Sequence, residues 1–147
     1  MREILYRGKR MDNGEWAEGS LLIDEIGGCY IGTYLPMYQT TYICQARRSG
    51  KILNRFRGIG LVKVIPKTVG QYTGLTDKNG TKIFEGDIAK NIDGVFLVCW
   101  DKEKCAFVMR FLEYPYETLY LEEMWEDSEV IGNIHDNPEL LEVSENG

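Results

Sequence analysis

Thr81-Lys82-Ile83-Phe84-Glu85-Gly86-Asp87-Ile88-Ala89-Lys90-Asn91-Ile92-Asp93-Gly94-Val95-Phe96-Leu97-Val98-Cys99-Trp100 is the stretch that decides the fold class. Its apolar residues fall into runs of strand length, broken at Glu85-Gly86-Asp87 and again at Asp93-Gly94. Short apolar or alternating runs between turn residues are the pattern of strands, not of an amphipathic helix. Val95 to Trp100 is apolar throughout, which fits a strand covered on both faces, as in a small closed barrel, with Trp100 in the core. Lys102 to Lys104 makes the next turn. Ala106 to Leu112 then alternates so that Phe107, Met109 and Phe111 share one face and point into the core.

The same pattern extends in both directions. Upstream, Gly70 to Leu75 reads as a strand joined to Thr81–Phe84 through Asp77-Lys78-Asn79-Gly80. An Asn-Gly step supplies the positive φ that a hairpin turn demands. Asp12-Asn13-Gly14 does the same between Ile4–Arg10 and Glu15–Ile23. Gly28–Tyr34, Thr40–Gln45 and Ile59–Ile65 read as further strands, and Arg47 to Arg57 as a polar, basic connection. Downstream, Val130 to Ile134 is a last strand. Asn137-Pro138 then starts a short helical turn, with Asn as its cap and Pro at its first position.

The chain has 147 residues, 44% hydrophobic and 12% aromatic, which is enough apolar surface to exclude global disorder. Its longest apolar run, Val95–Trp100, is far below the ~20 residues needed to cross a bilayer. Met1-Arg2-Glu3-Ile4 begins no signal-peptide core, so a cytoplasmic location and no membrane contact are expected. Cys29, Cys44, Cys99 and Cys105 include no Cys-x-x-Cys pair, and His135 is the only imidazole. The expectation is therefore reduced, mostly buried thiols, with no metal, disulfide or other cofactor.

The net charge of −6 conceals a division. The first 68 residues carry eleven basic and six acidic side chains, and the remainder six basic and seventeen acidic. From Arg47 to Lys67 there are seven basic residues and no acidic one; from Glu113 to Glu129 there are seven acidic residues and no basic one. Arg47, Arg48, Lys51, Arg55 and Arg57, with Tyr42 and Phe56 nearby, are candidates for a protein partner or for a phosphate backbone. Nucleic acid ranks second, because the whole chain is acidic, with a pI near 4.9. Trp125, set among Glu122, Glu123, Glu126 and Asp127, is the tryptophan expected at a binding surface.

Motifs for catalysis are sparse. Glu85 and Asp87 have the spacing of a paired acid and base, which makes a hydrolase the remote alternative, but the intervening Gly86 favours a tight turn in which Asp87 accepts backbone hydrogen bonds. His135 beside Asp136 could form an oriented base, yet it stands where a capping turn needs polar residues anyway. No serine lies in a nucleophile elbow, and there is no phosphate-binding loop or dinucleotide fingerprint. The expectation is a protein that is not an enzyme.

Three stretches together resemble one family. They are Tyr6-Arg7-Gly8-Lys9-Arg10 with Asn13-Gly14-Glu15-Trp16, Val69-Gly70-Gln71-Tyr72-Thr73-Gly74-Leu75 through Asp87-Ile88, and Ile131-Gly132-Asn133-Ile134-His135-Asp136-Asn137-Pro138-Glu139-Leu140. They are similar to the YopX family of phage and prophage proteins, with the weakest likeness between Asp24 and Arg57. The resemblance implies an N-terminal β region, residues 1–65, followed by an SH3-like small β barrel, residues 66–147. Pro66 and the charge division mark the same boundary. It also implies a bacterial host cell and supplies no catalytic residue. The resulting expectation is a mainly β accessory protein, a non-catalytic module that either binds an unidentified protein partner or self-associates; in the self-associating version a homo-oligomer forms when the basic stretch of one copy meets the acidic stretch of another.

Overall fold

Turn chemistry and alternation build a mainly β molecule of two antiparallel sheets, seen in a computed structural model that describes residues 2–34, 59–123 and 125–142. The chain divides into two compact units, one of residues 4–69 and the other of residues 1–3 and 70–147. The expected strand Thr40–Gln45 and the basic connection Arg47–Arg57 lie outside the described residues. Among the described residues no helix is long and apolar enough to cross a membrane.

In the smaller unit, β1 (Tyr6–Lys9) and β2 (Trp16–Ile23) form the expected hairpin, with Lys9 opposite Trp16 and Tyr6 opposite Gly19. Gly14 supplies the left-handed backbone at φ +73°, and Asn13 Oδ1 accepts the Glu15 amide at 2.9 Å. β3 (Cys29–Tyr34) pairs with β2, and β4 (Ile59–Val64) pairs with β3. Asp24 shapes the β2–β3 turn by accepting the amides of Ile26 and Gly28 at 3.0 and 2.7 Å and the Tyr30 hydroxyl at 3.1 Å. Ala17, Cys29, Ile31 and Val64 form the core of this unit, with Tyr6, Leu21 and Val69 against them. Pro66–Thr68 is one turn of 3-10 helix after β4.

In the larger unit, β5 (Gly70–Thr76) pairs with β6 (Lys82–Phe84). β7 (Asp87–Asn91), β8 (Gly94–Asp101), β9 (Ala106–Phe111), β10 (Thr118–Tyr120) and β11 (Glu129–Asn133) make a five-stranded sheet in the order β10-β9-β8-β7-β11. That order is linear, with β10 and β11 at its ends, and among the described residues its ladders do not show the closed SH3-like barrel. The terminal helical turn is a 3-10 turn, Pro138–Leu141.

Register explains the core. Phe96 faces Phe111, Val98 faces Met109 and Trp100 faces Phe107, so the alternating residues of β8 and β9 share a face. On that face Phe96, Val98 and Met109 are fully buried with Ile83, Ala89 and Leu121. The other face of β8 is half-buried at Val95, Leu97 and Cys99, so the apolar run is covered unequally. Trp100 corrects the expectation of a core residue. It shares the face of Phe96 and Val98 but lies beyond the end of the core, 46% exposed, packed edge-on against Phe107 at 5.1 Å. The thiols also depart from the expectation: Cys29 is buried, Cys99 half-buried and Cys105 exposed, the last at φ +50° in the β8–β9 turn. Burial pushes the Cys99 thiol above its ordinary pKa, keeping it protonated.

Candidate functional site

Two of the resembling stretches meet in the larger unit. Asp87 of β7 is opposite Asn133 of β11, and the Gly86 carbonyl accepts the Ile134 amide at 3.0 Å. Gly86 is glycine for a backbone reason, since its φ is +92°. Asp87 is 1% exposed, and its Oδ2 accepts the Phe84 amide at 2.7 Å. The carboxylate thus ties the turn that Glu85-Gly86-Asp87 makes, as the turn reading of that step expects.

The final motif is a knot of side chain to backbone bonds. Asn133 Oδ1 accepts the amides of His135 and Asp136 at 3.0 and 2.9 Å, and its Nδ2 donates to Asp136 Oδ2 at 3.1 Å. Asn137 Oδ1 accepts the Asn133 amide at 3.2 Å, so this side chain turns back to β11 and makes no cap bond to the following turn. Gly132 leaves room for it: a Cβ there would stand 2.5 Å from Asn137 Oδ1. Asp77 organises the opposite turn in the same manner. Its Oδ1 accepts the amides of Asn79 and Thr81, both at 2.9 Å, and its Oδ2 accepts the Val130 amide at 2.9 Å, which joins the β5–β6 turn to β11. Burial alone raises the pKa of Asp77, and these amide donors outweigh it and hold the carboxyl below its ordinary range. Among the described residues no group of three or more His, Cys, Asp or Glu is placed to hold a metal ion.

The surface with unspent chemistry is the acidic segment. Leu121–Glu123 and Trp125–Asp127 are consecutive 3-10 turns after β10, and Glu122, Glu123, Glu126 and Asp127 all project into solvent. None of these four makes an ion pair with another described residue, whereas Glu129 lies 3.7 Å from the Lys78 ammonium and 3.6 Å from that of Lys90. Tyr114, Tyr116, Leu119 and Tyr120 are exposed in the same segment, Tyr116 almost completely. Trp125 is half-buried and packs against the core, so the tryptophan singled out from the sequence contributes as much to packing as to surface. Ser128 anchors its turn through an Oγ hydrogen bond to the Trp125 carbonyl.

Of the basic candidates, Arg47, Arg48, Lys51, Arg55 and Arg57 lie outside the described residues, while Lys63 and Lys67 are described and exposed. The sequence singles out neither Tyr120 nor Leu75 as a surface residue, and its pattern assigns the exposed Trp100 to the core. Tyr120 belongs to the acidic stretch already marked. Leu75 follows a glycine within a strand, which is the mark of a bulge, and the β5–β6 register does shift between Tyr72 and Thr76.

No curated protein matches the sequence. The crystal structure of protein EF1440 from Enterococcus faecalis matches in fold, with a TM-score of 0.51 and 24% sequence identity over 97% of this chain and 100% of that chain. The family model described as YopX protein matches residues 5–142, nearly the whole length, and the chain belongs to the YopX family.

Proposed function

We propose that this protein is a phage or prophage accessory module of the host cytoplasm that binds protein without catalysis, its first partner being another copy of itself. The observation that carries this reading is the exposed acidic and aromatic segment, in which Glu122, Glu123, Glu126 and Asp127 have no ion-pair partner among the described residues. The same chain carries seven basic and no acidic residues between Arg47 and Lys67. Opposite charge steers encounter and fixes register, and exposed tyrosines add contact area at little cost in side-chain entropy. The turn bonding of Asp87 and Asn133 supports a structural use for the polar motifs.

Light scattering after size-exclusion chromatography tests the proposal. A dimer or larger species is expected at low salt, shifting toward monomer at high salt as the charges are screened. Arg55→Glu with Arg57→Glu should weaken assembly by about tenfold or more, and Glu122→Lys with Glu123→Lys in the same chain should restore it. A wild-type monomer at tens of micromolar in both buffers, about the concentration at which weak pairs assemble, would refute self-association.

A further inference from the structure

Resting on that reading, we infer that two copies also meet through their β2–β3 turns, Ile26 of each seating in the pocket between Met11 and β4 of the other. The turn supplies the knob. Ile26 is 93% exposed, with Ile23 and Leu22 beside it at 64% and 52%. A single apolar side chain in solvent needs no explanation, but a group of them on one turn makes a patch that a protein contact would cover.

The turn is fixed before any partner arrives. Besides the bonds that Asp24 Oδ1 accepts from Ile26 and Gly28, the Asp24 amide donates to the Gly28 carbonyl at 2.9 Å and the Gly27 amide to the Asp24 carbonyl at 3.2 Å. Gly27 supplies φ +85°, and Gly28 leaves room for the carboxylate, since a Cβ there would stand 2.5 Å from Asp24 Oδ2. A side chain presented on such a backbone loses less freedom when it docks.

The pocket suits that knob in size and charge. Met11, Leu61 and Val62 line it together with Arg10, Asp12 and Lys63, and it measures about 180 Å3. Pockets for small molecules span roughly 300–1,000 Å3, so this one fits a single side chain better than a metabolite. The Met11 amide donates to the Lys63 carbonyl at 3.0 Å, which ties the wall to β4. Asp12 is matched by Arg10, whose Nε and Nη2 donate to its two oxygens at 2.9 and 2.7 Å, so the lining carries the net positive charge of Lys63. Glu25, exposed next to Ile26, brings the opposite sign. The Lys63 ammonium lies 6.0 Å from the Tyr30 ring centre, the outer limit of a cation–ring contact, and its side chain stays exposed.

Knob and pocket adjoin. Lys63 is opposite Tyr30 in the β3–β4 register, and the Tyr30 hydroxyl donates to Asp24 Oδ2 at 3.1 Å. A surface that carries both halves of a contact is self-complementary, as a two-fold dimer requires.

Sedimentation equilibrium of the full chain at low salt tests this. Ile26→Ser removes the knob from an exposed position and leaves the backbone bonds to Asp24 in place. Lys63→Glu sets two carboxylates against each other across the contact. Each should weaken self-association by about tenfold or more, and adding Glu25→Lys to Lys63→Glu should restore it, with thermal midpoints recorded to confirm folding. Either folded single variant associating as tightly as the wild type, or a folded double variant that gains nothing over Lys63→Glu, would overturn this seat while self-association stands. A monomeric wild type would overturn both. Should Lys63→Glu fail to fold, Ile26→Ser decides alone.

Discussion

Replacing Asp77 with alanine is expected to lower the unfolding free energy by about 3 kcal/mol. The residue is 4% exposed, and its two oxygens serve three backbone amides, those of Asn79, Thr81 and Val130. Alanine leaves these donors without their charged acceptor and cuts the tie between the β5–β6 turn and β11. Asp77→Asn keeps one carbonyl oxygen but turns an amide donor toward a site that needs an acceptor, so it should fall between wild type and alanine. The folded carboxyl titrates below its ordinary value of 3.8. Its contribution is therefore complete above that value and is lost as pH falls through the folded pKa, where the unfolded state takes up the proton first. Urea denaturation in a series of acidic buffers checks both claims. The wild type should lose stability below pH 3.8 more steeply than Asp77→Ala, and parallel curves would contradict the assignment.

Asn133→Ala should cost about 2–3 kcal/mol. Asn133 is 9% exposed, accepts two amides and donates to Asp136, so truncation unties the turn from Ile134 to Asn137. Asn133→Asp retains the acceptor while losing the donor to the Asp136 carboxylate and placing two carboxylates together, and it should also destabilise. Hydrogen exchange provides the spatial test. In the alanine variant, protection should fall first at the amides of His135 and Asp136, which lose their acceptor, and at Ile134, whose partner is the Gly86 carbonyl. Unchanged protection there, with full stability, would mean that this motif is kept for chemistry rather than for structure.

Much of this architecture is written locally. The glycines of the two Asn-Gly turns, Gly14 and Gly80, take positive φ, and so do Gly86 and Gly94 at the breaks of the deciding stretch. Alternation over Ala106–Phe111 places Met109 and Phe111 in the core, because period two in a strand is a property of the backbone. The charge division is likewise a matter of composition alone.

Burial, pairing order and side-chain destination depended on residues far apart in sequence. Trp100 continues the apolar run of Phe96 and Val98, yet it lies past the end of the buried cluster. Trp125 has acidic neighbours on both sides, yet its turn carries it onto that cluster. A run of apolar letters cannot show where its covering layer stops. Asp77 looks like an ordinary turn aspartate until β11 brings Val130, 53 positions away, to its second oxygen. Local residue chemistry is enough to say where the chain turns, which strands alternate and how charge is divided. Which strands are edges, which tryptophan is exposed and that Thr73 and Leu75 stand beside Phe107 and Tyr120 follow from the folded arrangement, because those outcomes depend on long-range packing that no local pattern encodes.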